Sequence, residues 1–471
     1  MEEKNYILLA DIVSREPRSL QFMASHGFTV IARLKAKGRE RSVPVRTLLL
    51  NNSQFFRKTS SYEYFITRES AEQIFEAFPS GSASQPKSTT VTAAAGPTAD
   101  AQASLEQKPP NFGAQYQQIV NLRPEQRIEL IHSHAKRFEE LSHKSDLTEI
   151  EVNQSLTAGV IEAALVNKAT ILDALRMGNA EAQRYSASLV STTEKMVEST
   201  GDLLARDLYK EDLISDMVKK SNGIVVQHMT RVFLMGFSFL LYYNRQYSVK
   251  SLPNYIRAHF ARRYRPVYKK LLPHLNEEDI TLERVFWGGM RALTMDEIRN
   301  FAMGYLVHDV GKAEDIEYHE GEAGFDREKI VRHVKIGYKA VMEKTVYPRE
   351  AALITGYHHE YYGDPSGYGY FRELLDRYKK MRPDAHIDHL MSYEMEPLID
   401  YQVLAYFPAK MLEVVDVFDS LTDPNRLYRD PLTPVEAITM LYTDFVKKKV
   451  KVDPIILDLF KAFLQERGML S

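Results

Sequence analysis

Histidines and aspartates spread along the chain from residue 228 to residue 416 constrain its fold more than any other feature. In chain order the set is His228, His308-Asp309, His333, His358-His359 and Asp416. Neutral imidazole and carboxylate groups are ligands for iron, manganese or zinc. If the set forms one site, segments far apart in sequence must converge on one point. We therefore expect several helices to pack around a multinuclear metal site.

The size of this set favours two metal ions over one. A structural zinc takes four ligands in a tetrahedron, whereas six or seven are present here. Two octahedral ions that share Asp309 and a hydroxide accommodate the set, and such a pair activates water and neutralises a phosphoryl oxygen. A lone histidine on an apolar face is more often a core residue than a ligand. The prediction of metal binding therefore depends on the whole ordered set.

Composition limits the location and the classes of partner. The chain has 471 residues, enough for two or three domains, and it has no cysteine, which excludes disulfides and thiolate metal ligands. A net charge of -2 gives no strong attraction to nucleic-acid polymers or anionic membranes. The acidic N-terminus does not resemble a secretory signal. The longest apolar run, 232–243, is shorter than the ~20 residues of a membrane helix. We expect a cytoplasmic protein without a membrane span.

The first part of the chain is predicted to form a small α/β domain, over residues 1–80, with a regulatory or docking role. Apolar and β-branched runs at 6–13, 28–34 and 42–50 predict strands, and helical spacing over 66–78 predicts a helix. The segment has no phosphate-binding loop, nucleophile motif or acidic cluster. It is therefore a less suitable place for an active site than the second half.

A linker and a helical segment are predicted to follow. Residues 81–118 are rich in Ser, Ala, Thr, Pro and Gln, so a disordered linker is expected. Residues 119–204 show helical periodicity, with Pro124 at the start of the first helix. This helical lead-in belongs either to the core that holds the metal ligands or to a separate signalling helix, and the sequence does not distinguish the two.

Short motifs in residues 205–471 connect the metal ligands to one family. In chain order they are His228-Met-Thr-Arg-Val, His308-Asp-Val-Gly-Lys, His333-Val-Lys-Ile-Gly, His358-His-Glu and Asp416-Val-Phe-Asp-Ser-Leu. With these motifs the segment resembles the HD-GYP family of HD-domain metal phosphohydrolases. The resemblance implies an α+β multidomain chain whose main part is an all-α, HD-type helical domain. Two divalent ions, iron or manganese, are the implied cofactors, since Ile224 stands where some members have a glutamate for a third metal.

The resemblance also assigns roles to individual residues. Asp309 would bridge the two ions, and Lys312 would hold a substrate phosphate and offset its charge, so both are predicted catalytic residues. Tyr368, Arg426 and Arg429 are predicted to bind substrate together with Lys312, although plain surface charge is the alternative for the two arginines. The predicted metal ligands are His228, His308, Asp309, His333, His358, His359 and Asp416. Asp419 is predicted either to orient a ligand histidine or to be a helix-surface carboxylate.

Two segments depart from the family pattern. The family's HHExxDGxGYP motif contains one extra residue here, its Asp-Gly order is altered, and Gly369 replaces the final proline. The ligands before this loop are intact, so the departure bears on partners and substrate fit. An insertion near 248–295 interleaves basic and aromatic residues. It either covers the cleft and binds an anionic substrate or acidic partner, or it is an amphipathic helix with a solvated basic face.

The resemblance predicts a phosphodiesterase that opens cyclic di-GMP (c-di-GMP) to linear pGpG, and then to GMP, with a metal-bridging hydroxide as nucleophile. The implied partners are c-di-GMP and a GGDEF-domain or other signalling protein. Apolar helices over 146–220 are also compatible with a homodimer. Two alternatives remain open: a hydrolase of another cyclic dinucleotide, and a catalytically weak, metal-bound cyclic-dinucleotide sensor. The intact ligand set argues against a simple loss of activity.

Overall fold

Two compact units make up the chain. In the computed structural model, the described residues are 6–10, 30–35, 44–50, 112–206, 224–249, 251–313, 327–364, 366–383, 386–424 and 430–470. The first unit comprises residues 1–106 with 321–323, and the second comprises 107–320 with 324–471.

The first unit contains a three-stranded antiparallel sheet. Its strands are β1 (Tyr6–Ala10), β2 (Val30–Lys35) and β3 (Pro44–Leu50). The central strand, β3, pairs with β1 on one side and with β2 on the other. The strands overlap the apolar runs at 6–13, 28–34 and 42–50, and the α/β domain itself stays a prediction. The helix predicted over 66–78 and most of the linker predicted over 81–118 lie outside the described residues.

The described part of the second unit is mostly helical, which confirms the prediction of a helical main part. Its α-helices are α1 (Phe112–Val120), α2 (Pro124–His143), α3 (Glu149–Leu175), α4 (Asn179–Leu204), α5 (Ile224–Ser248), α6 (Ser251–His259), α7 (Arg265–Tyr268), α8 (Leu282–Val285), α9 (Met295–Val307), α10 (Arg327–Lys344), α11 (Arg349–Tyr357), α12 (Tyr370–Met381), α13 (Glu396–Ile399), α14 (Phe407–Thr422), α15 (Pro434–Tyr442) and α16 (Pro454–Glu466).

Shorter elements complete this unit. Single 3₁₀ turns occur at Val310–Ala313 and Tyr361–Gly363, and π-helical turns at Phe260–Tyr264 and Thr443–Lys448. Two short strands, β4 (His389–Ser392) and β5 (Val403–Tyr406), pair in parallel. This pair was not predictable from the sequence, because four residues are too few to establish an alternating pattern.

The helical lead-in shares its core with the helices that carry the metal ligands. Helix α3 packs against α5 and α10 and against the 3₁₀ turn at Val310–Ala313, and α4 packs against α9. Buried apolar residues from Tyr116 to Leu464 form one continuous cluster. The lead-in is therefore part of the core, which answers the question that the sequence left open.

Helix α1 corrects the predicted end of the linker. The linker was expected to reach residue 118, but α1 begins at Phe112. Tyr116 and Ile119 are buried in the common core, with exposed fractions of 8% and 3%. Phe112, Tyr116, Ile119 and Val120 follow helical spacing, but a run of little more than two turns is a weak periodic signal next to a polar linker.

Among the described residues, two helices are long and apolar enough to cross a membrane by length and composition, contrary to the expectation from the longest apolar run. They cover 149–175 and 225–248. Within the fold, 78% and 89% of their apolar windows are buried. Core helices of globular proteins pass the same test, so this finding is weak evidence for a membrane span.

Candidate metal centre

The structure brings all seven predicted metal ligands together from five segments of the chain. Helix α5 carries His228, α10 carries His333, and α14 carries Asp416. The pair His308-Asp309 follows the last residue of α9, and His358-His359 follows the last residue of α11. All seven residues are at most 5% exposed. The convergence of distant segments that the ordered set implied is therefore present.

Helix α9 places His308-Asp309 at its C-terminal end. Thr294 caps the helix start by accepting a hydrogen bond from the Glu297 backbone N–H, and the Glu297 side chain accepts from the Thr294 backbone N–H. This reciprocal cap fixes where the helix begins. Residues 301–307 of the helix are buried, so its last turn is held in the core. The helix ends at Val307, and His308-Asp309 follow it inside the protein.

Gly311 allows the turn after Asp309 to lie directly against α10. A Cβ atom at Gly311 would stand 1.8 Å from the His333 carbonyl oxygen and 2.6 Å from the Gly337 backbone nitrogen. No side chain can occupy that space without moving the backbone. The glycines of two sequence motifs, Gly311 and Gly337, therefore meet at one close contact, which holds His333 beside Asp309.

We expect Gly311→Ala to disrupt the site, since the added methyl group must push α10 away from Asp309. Overpacking of this kind costs about 1–3 kcal/mol or more, and displacement of His333 should weaken metal binding. Gly178→Ala is the matched control, because no atom lies within 4 Å of a Cβ there. Thermal unfolding and manganese titration of both variants check this. Unchanged metal affinity in Gly311→Ala would contradict the close-contact argument.

The ligand atoms form two groups that share Asp309. One group contains His228, His308 and Asp309, and the other contains Asp309, His333, His358 and His359. Within each group the ligand atoms lie within 4.8 Å of one another.

Asp416 lies between the two groups. His228 Nε2 is 2.8 Å from Asp416 Oδ1, and His359 Nδ1 is 3.6 Å from Asp416 Oδ2. On the other side, His333 Nε2 is 3.1 Å from Asp309 Oδ1. The two carboxylates thus stand between histidines of both groups.

The histidine ring nitrogens fit a divalent metal. Nδ1 of His308 donates to the Tyr305 carbonyl at 2.8 Å, and Nδ1 of His358 donates to the Thr355 carbonyl at 3.0 Å. The opposite nitrogens, together with Nδ1 of His359, are buried and have no hydrogen-bond partner among the described residues. Buried polar atoms are rarely left without a partner, and metal-bound histidines usually donate from the other nitrogen in this way. Buried histidine and aspartate clusters here could therefore hold a metal ion.

For five of the donors the electrostatics favour the protonation states that metals bind; at His228, by contrast, burial is outweighed by the hydrogen bonds to Asp416 and Asp419, which raise its pKa in the absence of a metal. Burial lowers the pKa of His358 to about 3 and also lowers the pKa of His308 and His359, so these imidazoles are neutral. Burial acts to raise the pKa of Asp309, but Lys312 and the neighbouring histidines hold it well below its usual value. In the same way His359 and His228 outweigh burial and depress the pKa of Asp416.

Asp419 contacts the Nδ1 side of the His228 ring, whereas Nε2 of the same ring faces Asp416. Nδ1 of His228 lies 2.7 Å from Asp419 Oδ2, and Arg231 Nε donates to Asp419 Oδ1 at 2.6 Å. Arg231 also pairs with Asp423 at 2.8 Å. Asp419 is 3% exposed, so of the two interpretations left open, the orienting carboxylate is the one that fits.

Sequence reasoning gave no role to Arg231 or Asp423. Asp416 and Asp419 in α14 and Asp423 directly after its last residue are spaced three and then four residues apart, and this spacing was the available signal. This spacing places the three carboxylates on one face of the helix. Buried charges are usually paired, so a cation is expected opposite this face.

Of the predicted substrate residues, the structure places two at the edge of the site. Lys312 forms an ion pair with Asp309, and a quarter of its side chain (25%) is exposed. The ring of half-buried Tyr368 is centred 4.4 Å from the ring of His359. Arg426 and Arg429 lie outside the described residues.

The basic and aromatic insertion folds as an amphipathic segment. Phe260, Tyr264 and Tyr268 are buried in the core, whereas Arg257 and Arg262 are exposed. This arrangement favours the interpretation of an amphipathic segment with a solvated basic face over that of a cover on the cleft.

The described part of the chain is thus a mostly helical protein with a buried cluster of histidines and aspartates that could hold a metal ion. No protein-family model, no curated protein and no solved structure matches the chain.

Proposed function

We propose that this chain is a cytoplasmic, metal-dependent phosphodiesterase of the HD-GYP type that hydrolyses c-di-GMP to linear pGpG. The observation that supports this most is the pair of ligand groups that share Asp309. A carboxylate shared between two sets of imidazoles can hold two ions close together, and a close pair of ions suits phosphodiester hydrolysis. The motif resemblance supplies the substrate.

The proposed centre holds two divalent ions, one in each ligand group. Imidazole together with carboxylate suits iron or manganese, and the absence of cysteine removes the thiolate ligands that would favour other metals. When bound, such ions supply an activated water and neutralise the phosphoryl oxygens of the substrate. Asp309, with its depressed pKa, remains ionised and offsets part of the positive charge.

Lys312 is proposed to bind the substrate phosphate. It already contacts the Asp309 carboxylate from a partly exposed position, so its ammonium group can reach an incoming anion without a large rearrangement. A charge-assisted hydrogen bond to a phosphoryl oxygen is stronger than a neutral one. Tyr368, whose ring lies beside that of His359, offers a flat surface on which a guanine base can stack.

The test is conversion of c-di-GMP by protein reconstituted anaerobically with Fe(II) or Mn(II), followed by chromatography of the nucleotides. We expect pGpG as the first product. Lys312→Met should slow turnover by roughly 10²–10³, the cost of losing one donor to a developing negative charge, with the metal content retained. Lys335→Met is the matched control, since Lys335 pairs with Glu373 at 2.8 Å on the same unit and has no predicted role.

Two other outcomes would each change the conclusion. Tight binding of intact c-di-GMP by the metal-loaded protein would favour the sensor alternative. Hydrolysis of a different cyclic dinucleotide, with c-di-GMP neither bound nor cleaved, would keep the chemistry and replace the substrate.

A further inference from the structure

Two consecutive tyrosines directly after the His358-His359 pair adopt an unusual backbone conformation. Tyr361 has a φ of 48° and Tyr362 a φ of 47°. Apart from this pair, only Tyr401 among the non-glycine residues that the structure describes has a positive φ. Side chains other than glycine disfavour this region, and residues held there persist only when their surroundings fix them. The contacts around this turn therefore reveal what holds it.

Tyr362 is fixed at both its hydroxyl and its ring. Its hydroxyl donates to Asp453 Oδ2 at 2.6 Å, inside the core. The ammonium nitrogen of Lys410 lies 4.0 Å from the centre of the Tyr362 ring. Next to it, the backbone N–H of Tyr361 donates to Glu413 Oε2 at 3.3 Å. Lys410 and Glu413 of α14, and Asp453 directly before α16, thus contact the two tyrosines of the turn.

Lys410 and Glu413 form a buried ion pair. Taking both charges out of water has a desolvation cost. Both are at most 1% exposed, and Lys410 Nζ lies 2.6 Å from Glu413 Oε1. Lys410 also donates to the Lys451 carbonyl at 2.7 Å. Apolar residues of similar volume are often at least as stabilising as such a pair. A role in positioning accounts for the pair better than a role in stability, since Glu413 lies one helical turn before Asp416.

Asp453 links the turn to two other parts of the fold. It accepts a hydrogen bond from the Tyr268 hydroxyl at 3.0 Å, which joins the aromatic face of the insertion to the turn. It also caps α16 by accepting from the backbone N–H groups of Ile455 and Ile456. One buried carboxylate therefore ties the turn to the insertion and to α16.

After the turn, the chain folds back so that Tyr368 and Gly369 contact the backbone of His359. The His359 carbonyl accepts hydrogen bonds from the backbone N–H groups of Tyr368 at 2.9 Å and Gly369 at 3.2 Å. These bonds form only if the chain reverses between residues 360 and 368, and the left-handed tyrosines begin that reversal. The His359 ring, whose Nδ1 faces Asp416, is therefore held from the backbone side by the loop that the turn creates.

We propose that Tyr362, Lys410, Glu413 and Asp453 are positioning residues that hold His359 in place for metal binding. None of them touches the ligand groups' metal-facing atoms, so they act through the turn. This inference rests on the metal centre of the proposed function and is independent of the substrate.

Tyr362→Phe tests this inference with little change in volume. Tyr264→Phe is a matched control, because the Tyr264 hydroxyl also donates to an aspartate, Asp458, at 2.6 Å. The measurements are Mn(II) affinity of the metal-free protein by titration calorimetry, and thermal unfolding without metal. We expect similar, small losses of stability in both variants. Only Tyr362→Phe should weaken Mn(II) binding, by about 10-fold, the lower end for losing an outer partner of a ligand.

The outcomes separate this inference from the proposed function. Wild-type Mn(II) affinity in Tyr362→Phe overturns the positioning role. Weakened affinity in Tyr362→Phe alone supports it, even if c-di-GMP is not a substrate. Lys410→Met provides a second variant: a folded protein with weakened Mn(II) binding supports the role, and a folded protein with wild-type affinity overturns it. Absence of Mn(II) binding by the wild type would overturn both this inference and the proposed centre.

Discussion

Asp309→Asn is expected to remove both metal binding and phosphodiesterase turnover. Asp309 is the one residue common to both ligand groups, so its loss affects every ion that the site holds. The neutral amide cannot offset the charge of two cations, and its NH₂ group cannot act as a ligand. The loss of affinity should exceed the roughly 100-fold that removal of an outer partner costs. Metal content by mass spectrometry and c-di-GMP turnover are the measurements.

Asp173→Asn is the control for this substitution. Asp173 is paired with Arg127 at 2.6 Å in the helical lead-in, so the same chemical change there should leave metal content and turnover as in the wild type. A metal-loaded, active Asp309→Asn protein would show that the carboxylate is not shared between ions, and the two-metal proposal would fail.

Asp419→Ala is expected to be the most destabilising of the substitutions considered. It removes the carboxylate that both Arg231 and His228 contact in the core. Removal of one partner from a buried ion pair typically costs about 3–5 kcal/mol, and because Arg231 keeps Asp423 as a second counterion, we expect a loss near the lower end of that range. Metal affinity should also fall, by about 10- to 100-fold, because His228 loses the partner that orients its ring.

Denaturant unfolding of the metal-free protein measures the first effect, and metal titration measures the second. Asp388→Ala is a suitable comparison, since its ion pairs with His274 and Arg284 are at the surface and 45% of its side chain is exposed. Exposed pairs of this kind contribute about 0–1 kcal/mol. If Asp419→Ala unfolds at the same denaturant concentration as Asp388→Ala, the buried network has no special role in stability.

The sequence was sufficient to predict which histidines and aspartates converge in the buried cluster, because each of them lies in a short motif whose residues are neighbours along the chain. His308-Asp309 and His358-His359 are visible as dipeptides, and Asp416 with Asp419 as a one-turn spacing. The helical character of the main part followed from apolar periodicity for the same local reason.

The buried polar residues around the predicted ligands could not be predicted in this way. Asp453 meets Tyr362 and Tyr268, which are far from it and from each other in sequence. Lys410 and Glu413 look like an ordinary exposed pair three residues apart on a helix, and only the fold shows them buried. Burial of a polar residue depends on which distant segments cover it, and no local pattern of the chain records that.

The helical lead-in and the helices that carry the predicted metal ligands share one core, and this limits where the chain can be cut. Motif matching would place the start of the hydrolase module near residue 205, but α3 and α4 cover α5, α9, α10 and the turn after Asp309. A fragment cut at that point would present the uncovered faces of these helices to water, and large apolar patches promote aggregation. The smallest piece that can be expressed, or exchanged between proteins in evolution, is therefore expected to begin ahead of Phe112.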